Sequence, residues 1–414
     1  MLPSNSPTTL FIFLITYFGV AVGGIPGLKI DRTGIALLGA IVMVVTGGLT
    51  TEQAVFAIDV PTILLLYALM VVSAQFRLGG FYTYVALKVA AFVNHPTKFL
   101  GLVMLVSAVL SAVLANDIVC LAFTPVLTVA LIRAKRNPVP FLIGLAVASN
   151  IGSAATIIGN PQNMLIGQLG KLDFAEFFVW CAVPSLLALV SSFFVIRILS
   201  GKEMSESYTV TSSDAASWPP FNRHQSTKAI ALILILITLF FTAIPRELSA
   251  IAIAGVLLCS RSMHTRAILG LVDWHLITLF CGLFVVIKGL ELTNLPASSI
   301  SWLNALGIDL GNLYLLTAVS TLLSNLVSNV PAAMLLIKFL DPTNPVQWYV
   351  LALSSTFAGN LITIGSIANL ITFEGAKEYG VNISFKQHAR LGVPITLASL
   401  AVTLLWIWMM AGTW

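Results

Sequence analysis

The sequence predicts an all-α polytopic membrane protein with about ten transmembrane helices in two inverted repeats, each with a re-entrant hairpin and a broken helix. Three observations predict this class. Charged residues make up only 9% and hydrophobic residues 58% of the 414 residues, whereas a soluble domain carries about 25% charged residues. Apolar runs long enough to cross a bilayer recur along the chain. Polar motifs interrupt two of these runs at matching positions in the two halves.

The apolar runs give the predicted spans. They lie at 9–24, 33–49, 57–76, 139–168 (interrupted), 174–198, 227–245, 248–260, 271–290, 346–371 (interrupted) and 390–411. Two other apolar segments, 97–134 and 308–338, have polar centres and are predicted to be re-entrant hairpins. Residues 81–93 are typical of an interfacial helix. The run Leu10–Val22 is predicted to be a true span, because the residues before it lack the Lys or Arg of a signal peptide.

The basic residues divide unevenly between the two sides of this arrangement. When the loops after the odd-numbered spans share one side, that side holds 17 of the 21 Lys and Arg residues. The other side holds Lys171, Arg246, Lys288 and Lys338. Because basic loops stay in the cytoplasm, we expect a multi-pass protein of the inner (plasma) membrane with both termini outside.

The two halves of the sequence are repeats of one another. At offsets of 206 to 214 residues, the alignment pairs Asp59 with Asp273, Asn116 with Asn329, Asn163 with Asn369 and Pro184 with Pro394. Each half has an odd number of predicted crossings, so the second half is inverted relative to the first. We therefore predict a first repeat at 1–199, a polar cytoplasmic linker at 200–226 and a second repeat at 227–414.

A polar motif breaks one predicted span in each half. It reads SNIGSAATIIGNPQNMLI at 149–166 and GNLITIGSIANLI at 359–371. Gly and Pro favour leaving a helix, and freed backbone groups are tolerated in a membrane only where they line a cavity. We predict that Gly159 and Pro161 end one half-helix and that Gly365 ends the other. Close helix packing explains many single membrane glycines, but a polar break present in both repeats favours a transport site.

The polar side chains of these motifs and of the hairpin centres are the candidate binding groups. Half-helix N-termini present free N–H groups, which suit oxygen-rich solutes and anions. The candidate substrate-binding residues are Asn116, Asn150, Thr156, Asn160, Gln162, Asn163, Ser328, Asn329, Asn360, Thr363, Ser366 and Asn369. We expect Asn163 and Asn369 to face one cavity, each from its own repeat. For each of these residues alone, a helix cap or an interhelical hydrogen bond is the alternative role.

Asp117 is the candidate residue for proton coupling. It is the one acid within the polar motifs, and its counterpart in the second repeat is Val330. An acid inside a membrane is costly and therefore indicates function. The alternative is that Asp117 caps the second hairpin helix. Asp59 and Asp273 each stand at the start of a span, where a capping role suffices.

Several function classes find no support in the sequence. The basic residues are scattered over short loops, so no nucleic-acid partner is predicted. The four cysteines show no CxxC spacing and the five histidines no HExxH pattern, so we expect neither a metal nor a cofactor. The chain has no phosphate loop and no catalytic dyad, so we expect neither an ATP-driven pump nor an enzyme.

The polar motifs resemble those of a known transporter group. ANDIVCLAFTP at 115–125 resembles the hairpin motif of the arsenite-efflux permease branch of the ion transporter superfamily, which includes silicic-acid efflux and P-protein transporters. ASNIGSAATIIGNPQNMLI at 148–166 and LITIGSIANLI at 361–371 resemble its two broken-helix motifs. The resemblance covers the whole chain in layout. It implies a transport domain of hairpins and broken helices that moves against a scaffold, which is an elevator-type mechanism.

The combined features predict a secondary active transporter that exports arsenite, antimonite or a related small oxyacid in exchange for protons. Neither broken-helix motif contains Lys or Arg, so a strongly charged anion would lack a bidentate partner. The hairpin tips LANDI and VSNVP lack the Ser-Asn-Thr of the superfamily's sodium/dicarboxylate branch. Near the first tip, Cys120 is more typical of a small hydrophobe than of an arsenic ligand.

Two alternatives to this function stay open. One is an importer of an inorganic or carboxylate anion coupled to sodium or protons, and the other is a sodium/proton antiporter. The predicted partners are therefore a small oxyacid or anion, a proton or sodium ion, and the lipid bilayer. The sequence is also compatible with a homodimer.

The charge pattern makes a direct prediction about topology. In a cysteine-free background, Ser4→Cys should react in intact cells with a membrane-impermeant maleimide, and Ser212→Cys should react only in everted vesicles. The reason is that the flanks of the linker carry basic residues and those of the amino terminus do not. Labelling of Ser212→Cys in intact cells would contradict the inverted-repeat arrangement.

Overall fold

The structure, a computed structural model, describes residues 6–24, 27–206, 220–260, 263–293 and 309–410. Within these ranges the regular structure consists of helices. Residues 207–219 of the predicted linker, and Ser4 and Ser212 of the topology experiment, lie outside the described residues. The repeat boundaries and the placement of the linker in the cytoplasm stay predictions.

Apart from α5, the described helices follow the same order in both halves. The first half folds into α1 (Ser6–Val22), α2 (Arg32–Val45), α3 (Thr51–Ala57), α4 (Val60–Leu78), α5 (Phe81–Ala90), α6 (Pro96–Val113), α7 (Asn116–Arg133), α8 (Val139–Ser153), α9 (Pro161–Leu169) and α10 (Phe174–Ser200). The second folds into α11 (Arg223–Phe240), α12 (Arg246–Leu258), α13 (Thr265–Leu269), α14 (Trp274–Glu291), α15 (Leu313–Val327), α16 (Asn329–Leu336), α17 (Pro345–Ala358), α18 (Ile367–Lys377) and α19 (Phe385–Met410). Short 3-10 turns lie at Glu203–Ser205, Ile337–Phe339 and Thr363–Gly365.

The helix lengths fit a membrane protein. Among the described helices, seven are long and apolar enough to cross a bilayer, namely α4, α6, α7, α10, α11, α14 and α19. Shorter apolar helices, among them α1, α2, α8 and α15, account for other predicted spans. The predicted interfacial segment forms α5. The fold class predicted from the sequence is thus confirmed.

The first hairpin turns back inside the membrane span of the broken helix. α6 and α7 meet at 114–115, and the Asn116 N–H donates to the Gly159 carbonyl oxygen at 3.3 Å. α9 begins beside this contact and continues for nine residues. The hairpin tip therefore lies inside the span of the broken helix and does not reach the end of α9. In the second hairpin α15 and α16 meet at Ser328, whose φ is +76°. Both tips therefore lie beside a helix break.

The breaks are wider than the sequence predicts. α8 ends at Ser153, so Gly159 lies within the gap, and Pro161 opens the second half-helix instead of ending the first. Proline suits this place because the first turn of a helix has no N–H bond to lose. A Cβ on Gly159 would lie 2.2 Å from the Ser153 carbonyl oxygen, so the chain approaches too closely for a side chain. In the second repeat Gly365 closes the 3-10 turn between α17 and α18.

Equivalent helices of the two halves make equivalent packing contacts. α2 packs against α14 and α4 against α12, which are equivalent pairs of repeat positions. α7 packs on α18 and α16 packs on α9 in the same way, and α10 packs on its own counterpart, α19. The described helices therefore follow a pseudo-twofold axis.

Two groups of helices share the interior. The scaffold comprises α1, α2, α4, α11, α12 and α14, which pack on one another. The hairpin unit comprises α6–α10 and α15–α19. Across the seam between the two groups, α4 contacts α9, α14 contacts α16 and α1 contacts α15. The seam is therefore built from both repeats.

The contact between α6 and α8 should be sensitive to one added methyl group. A Cβ on Gly152 would lie 2.3 Å from the Ala108 Cα and carbonyl oxygen, so Gly152→Ala must push the hairpin arm away. Such overpacking costs about 1–3 kcal/mol. Gly255→Ala on α12 is the matched control, because nothing lies within 4 Å of its Cβ position. Thermal unfolding in detergent should show a lower midpoint for Gly152→Ala alone, and equal midpoints would refute this contact.

Candidate transport site

Four helices begin around one small cavity in the hairpin unit. The cavity has a volume of about 20 Å³ and is lined by Asn116, Asp117, Asn150, Pro161, Gln162, Ser328, Asn329, Val330, Ser366 and Ile367. Apart from Asn150 near the end of α8, these residues belong to the first turns of α7, α9, α16 and α18 or directly precede them. Hairpins and broken helices thus contribute equivalent elements to one central cavity.

The converging N-termini give the central cavity its electrostatic character. Each free N-terminal turn carries roughly half a positive charge and unpaired N–H groups, which attract oxygen-rich groups. Among the described residues that line the cavity, Asp117 is the only one with an ionisable side chain. The attraction for oxygen therefore comes from the backbone and from side-chain amides.

Asn150 joins both repeats at the cavity. Its Oδ1 accepts hydrogen bonds from Asn116 Nδ2 at 3.2 Å and from Ser366 Oγ at 2.9 Å. Its Nδ2 donates to Asn360 Oδ1 at 2.9 Å and to Asn369 Oδ1 at 3.4 Å. The side chain is only 2% exposed. Since Asn360 and Asn369 belong to the second repeat, this side chain links the two broken helices directly.

Side chains fix each hairpin to the break beside it. With its amide oriented to donate, Asn329 bonds the carbonyl oxygens of Gly365 and Ser355, each at 3.1 Å. In the first repeat, the Thr156 hydroxyl in the break donates to the Ala112 carbonyl oxygen of the hairpin at 2.5 Å. Hairpin tip and break are therefore held together in both repeats.

Asn163 and Asn369 point into the breaks of their own helices instead of facing one cavity. Asn163 Nδ2 donates to the carbonyl oxygens of Thr156 at 3.0 Å and Ser153 at 3.3 Å. Asn369 Nδ2 donates to the Gly359 carbonyl oxygen at 2.8 Å. Both side chains are fully buried. The reason is that a break frees backbone carbonyls, which need donors where water is scarce.

Thr356 connects the second broken helix to the first. Its hydroxyl accepts from Asn160 Nδ2 and from Gln162 Nε2, each at 3.3 Å. Asn160 Nδ2 also donates to Ser153 Oγ at 2.9 Å, and its Oδ1 accepts the Asn163 N–H at 2.8 Å as the cap of α9. Asn160 thus holds the break, whereas Gln162 also reaches the cavity.

Three polar atoms around the breaks are left for a solute or water. Asn116 Oδ1, Asn360 Nδ2 and Thr363 Oγ1 are buried and have no hydrogen-bond partner among the described residues. Leaving a buried polar group unpaired costs about 1–3 kcal/mol. Of the three residues Asn116 lines the central cavity, so a ligand that donates a hydrogen bond would be favoured there.

Asp117 lies between the central cavity and a larger seam cavity. The seam cavity, about 120 Å³, separates scaffold from hairpin unit, and its lining includes Arg77, Asp117, Pro161 and Asp273. α7 begins without a side-chain cap, so Asp117 does not have the capping role considered from the sequence. Asp59 and Asp273 do cap α4 and α14, each accepting an N–H bond at 2.9 Å. Asp117 therefore borders both cavities.

Sequence reasoning missed the hydroxyl groups that support the asparagines. Ser149 Oγ donates to the Asn116 carbonyl oxygen at 3.0 Å and lies 2.7 Å from Ser111 Oγ. In the second repeat Ser320 Oγ lies 2.5 Å from Ser354 Oγ. Their signal in the sequence is weak, because serines in membrane helices commonly bond the preceding turn or a neighbouring helix.

A comparison with protein families gives the wider context. The family model described as citrate transporter matches residues 10–358 of the chain. The chain belongs to this family. It is therefore an integral membrane transporter, and its membership of the ion transporter superfamily, to which the motifs point, is confirmed.

Relatives of this transporter extend over its whole length. A 46 kDa membrane protein of Mycobacterium leprae is 29% identical, covering 98% of each chain. A silicon efflux transporter of Oryza sativa subsp. japonica is 28% identical, covering 91% of this chain and 92% of its own. The crystal structure of the YdaH transporter of Alcanivorax borkumensis has a TM-score of 0.61 at 15% identity and covers 99% of both chains. This last likeness shows the fold alone.

Two neighbouring amides of the transporter should respond differently to mutation. Gln162→Leu removes a cavity-lining amide, and the loss of about 1–3 kcal/mol should raise the half-saturating concentration of the transported solute about 5- to 150-fold with an unchanged unfolding midpoint. Asn163→Leu removes the donor to the break carbonyls and should lower the midpoint itself. Transport assays and thermal unfolding on both variants check this. The assignment is wrong if Asn163→Leu is as stable as the parent.

Proposed function

We propose that the transporter exports a small, uncharged or weakly charged oxyacid, such as arsenous or antimonous acid, in exchange for protons. One observation carries the proposal. The central cavity combines four helix N-termini with amide and hydroxyl groups, and its described lining contains no basic side chain. Such a site recognises oxygen atoms and hydroxyl groups and does not need a full negative charge on the solute.

The chemistry of an oxyacid matches the free groups of the site. Its hydroxyls can donate to Asn116 Oδ1, which has no other partner among the described residues. Its oxygens can accept from the Gln162 amide and from N–H groups at the starts of α7 and α16. A multiply charged anion such as citrate would lack a bidentate Arg and would face the Asp117 carboxylate.

The relatives support a small oxyacid as well. Silicon in neutral water is a polyhydroxy acid, and the rice relative is a silicon efflux transporter that matches over nine tenths of both chains. Arsenous acid has the same pattern of hydroxyl groups around a central atom. A thiol-based arsenic site finds less support, because Cys120 is fully buried and stands apart from the other cysteines.

We infer that Asp117 carries the coupling proton. Its place between the two cavities allows it to take up a proton from one side and to release it to the other as the hairpin unit moves against the scaffold. One proton moving inward supplies about 2.3 kcal/mol per 100 mV and about 1.4 kcal/mol per pH unit. This is enough to export a neutral solute against a gradient of several hundred-fold, roughly, at ordinary membrane potentials.

A carboxylate importer is the second candidate. The family is described as citrate transporter, and helix N-termini bind carboxylates as readily as they bind other oxyanions. Sodium coupling would then use the Asn116 and Asn329 side chains and freed carbonyls at the breaks. A sodium/proton antiporter would use these same oxygens and Asp117, without a second solute.

Everted inner-membrane vesicles distinguish these functions. We expect uptake of arsenite driven by an imposed pH gradient without sodium, because everted vesicles turn export into accumulation. Sulfate and citrate should not accumulate, and neither should compete with arsenite. Citrate uptake that requires sodium would favour the second candidate. Sodium release without any solute would favour the antiporter.

The variant Asp117→Asn tests the coupling role in the same vesicles. The amide keeps the shape of the side chain but cannot titrate, so arsenite should still exchange across the membrane yet no longer accumulate with a pH gradient. Asp59→Asn is the matched control, since Asn caps a helix about as well as Asp. Its accumulation should equal that of the parent. Full pH-driven accumulation by Asp117→Asn would rule out Asp117 as the coupling acid.

A further inference from the structure

Charged contacts join the scaffold to the hairpin unit at one end of the seam. Lys338, at the end of the second hairpin, lies 2.5 Å from Glu291 at the end of α14. Lys288 of α14 also pairs with Glu291, at 3.0 Å. These side chains are between 25% and 40% exposed, so water screens the pair only in part.

Arg246 makes a second contact at this end. The guanidinium, from the first turn of scaffold helix α12, donates to the carbonyl oxygens of Gly167 at 2.9 Å and Leu172 at 2.8 Å. It thereby caps the last turn of α9 in the hairpin unit, where a positive charge also suits the helix dipole. Beside it, Gln168 Nε2 donates to Glu247 of α12 at 3.0 Å. Arg246 and Lys338 thus tie the scaffold to both repeats of the hairpin unit.

The opposite end of the seam contains a cavity. α14 begins at Asp273, which together with Arg77 of α4 lines the seam cavity of about 120 Å³ that leads to Asp117. α14 ends 18 residues later at Glu291, about 27 Å away along the helix. The seam therefore carries ion pairs at one end and a cavity that reaches the central site at the other.

We propose that Lys338–Glu291 and Arg246 form a latch that closes the seam on one side of the membrane and must open before the central cavity faces that side. The inference rests on the proposed alternation between two sides. The four basic residues of the less basic side include Arg246, Lys288 and Lys338, so the predicted topology puts the proposed latch on the outer side. These residues position the hairpin unit and do not contact the solute.

The latch is tested by the reactivity of a cysteine behind it. Met334 is 2% exposed and lines a cavity of about 130 Å³ together with Lys338 and Glu291. In a cysteine-free background that carries Met334→Cys, Lys338→Met should raise the rate of labelling by an impermeant maleimide in intact cells about two- to five-fold, which is the effect of a part-exposed ion pair. Glu291 keeps Lys288 as its partner in this variant, so no buried charge is orphaned.

Two further variants separate a latch from a general loosening. Lys377→Met is the matched control, because it breaks an ion pair with Glu374 at 3.6 Å within the single helix α18. It should leave the labelling rate unchanged. The conservative variant Lys338→Arg keeps the positive charge beside Glu291, so it should have the labelling rate of the parent.

The outcomes are decisive for the latch. A parent-like rate in Lys338→Met, an equal increase in Lys377→Met, or an equal increase in Lys338→Arg would each overturn it. A second variant of the latch itself, Arg246→Met, should also raise the rate of labelling at Met334→Cys. The reason is that the last turn of α9 loses the guanidinium that donates to its carbonyl oxygen. Labelling needs neither solute nor gradient, so a wrong assignment of the solute or of Asp117 would leave these results untouched.

Discussion

The architecture of this site depends on amide side chains that replace backbone hydrogen bonds where helices break. In a membrane each unpaired backbone group costs several kcal/mol, roughly. Asn163 and Asn369 supply the missing donors at the two breaks, and both are buried completely. Because the breaks are held open in this way, the half-helices that follow begin at the cavity. Together with the caps Asn160 and Ser366, these two amides fix the N-termini of α9 and α18.

A site built from helix N-termini has an advantage for a unit that moves through a membrane. Moving one net charge across the membrane potential costs about 2.3 kcal/mol per 100 mV. Dipoles and amides attract an oxygen-rich solute without adding such a charge. In the proposed cycle the protonated Asp117 also crosses as a neutral group. The family is described as citrate transporter, but a multiply charged cargo such as citrate would add its own charge to the moving unit, which an uncharged oxyacid does not.

The repeats, the breaks and the paired asparagines could be predicted from sequence because motif and repeat are local patterns. The directions in which the side chains point could not be predicted from the sequence. Asn150 and Asn163 look alike in the motif, yet one lies at the cavity and the other bonds its own break. The contacts between scaffold and hairpin unit could not be predicted from the sequence either. Lys338 and Glu291 are far apart in the sequence, and loop charges of this kind indicate only topology until the packing is known.

The bonds of Asn150 have a consequence for what this position tolerates. Its side chain must accept hydrogen bonds from Asn116 and Ser366 and donate to Asn360 and Asn369. A carboxamide meets both demands, because it carries a donor and an acceptor. A carboxylate would set its oxygens against those of Asn360 and Asn369, and a lysine would set its donors against those of Asn116 and Ser366. The junction between the two repeats thus restricts this position to a neutral side chain with both functions, and the one charge at the cavity is placed elsewhere, at Asp117.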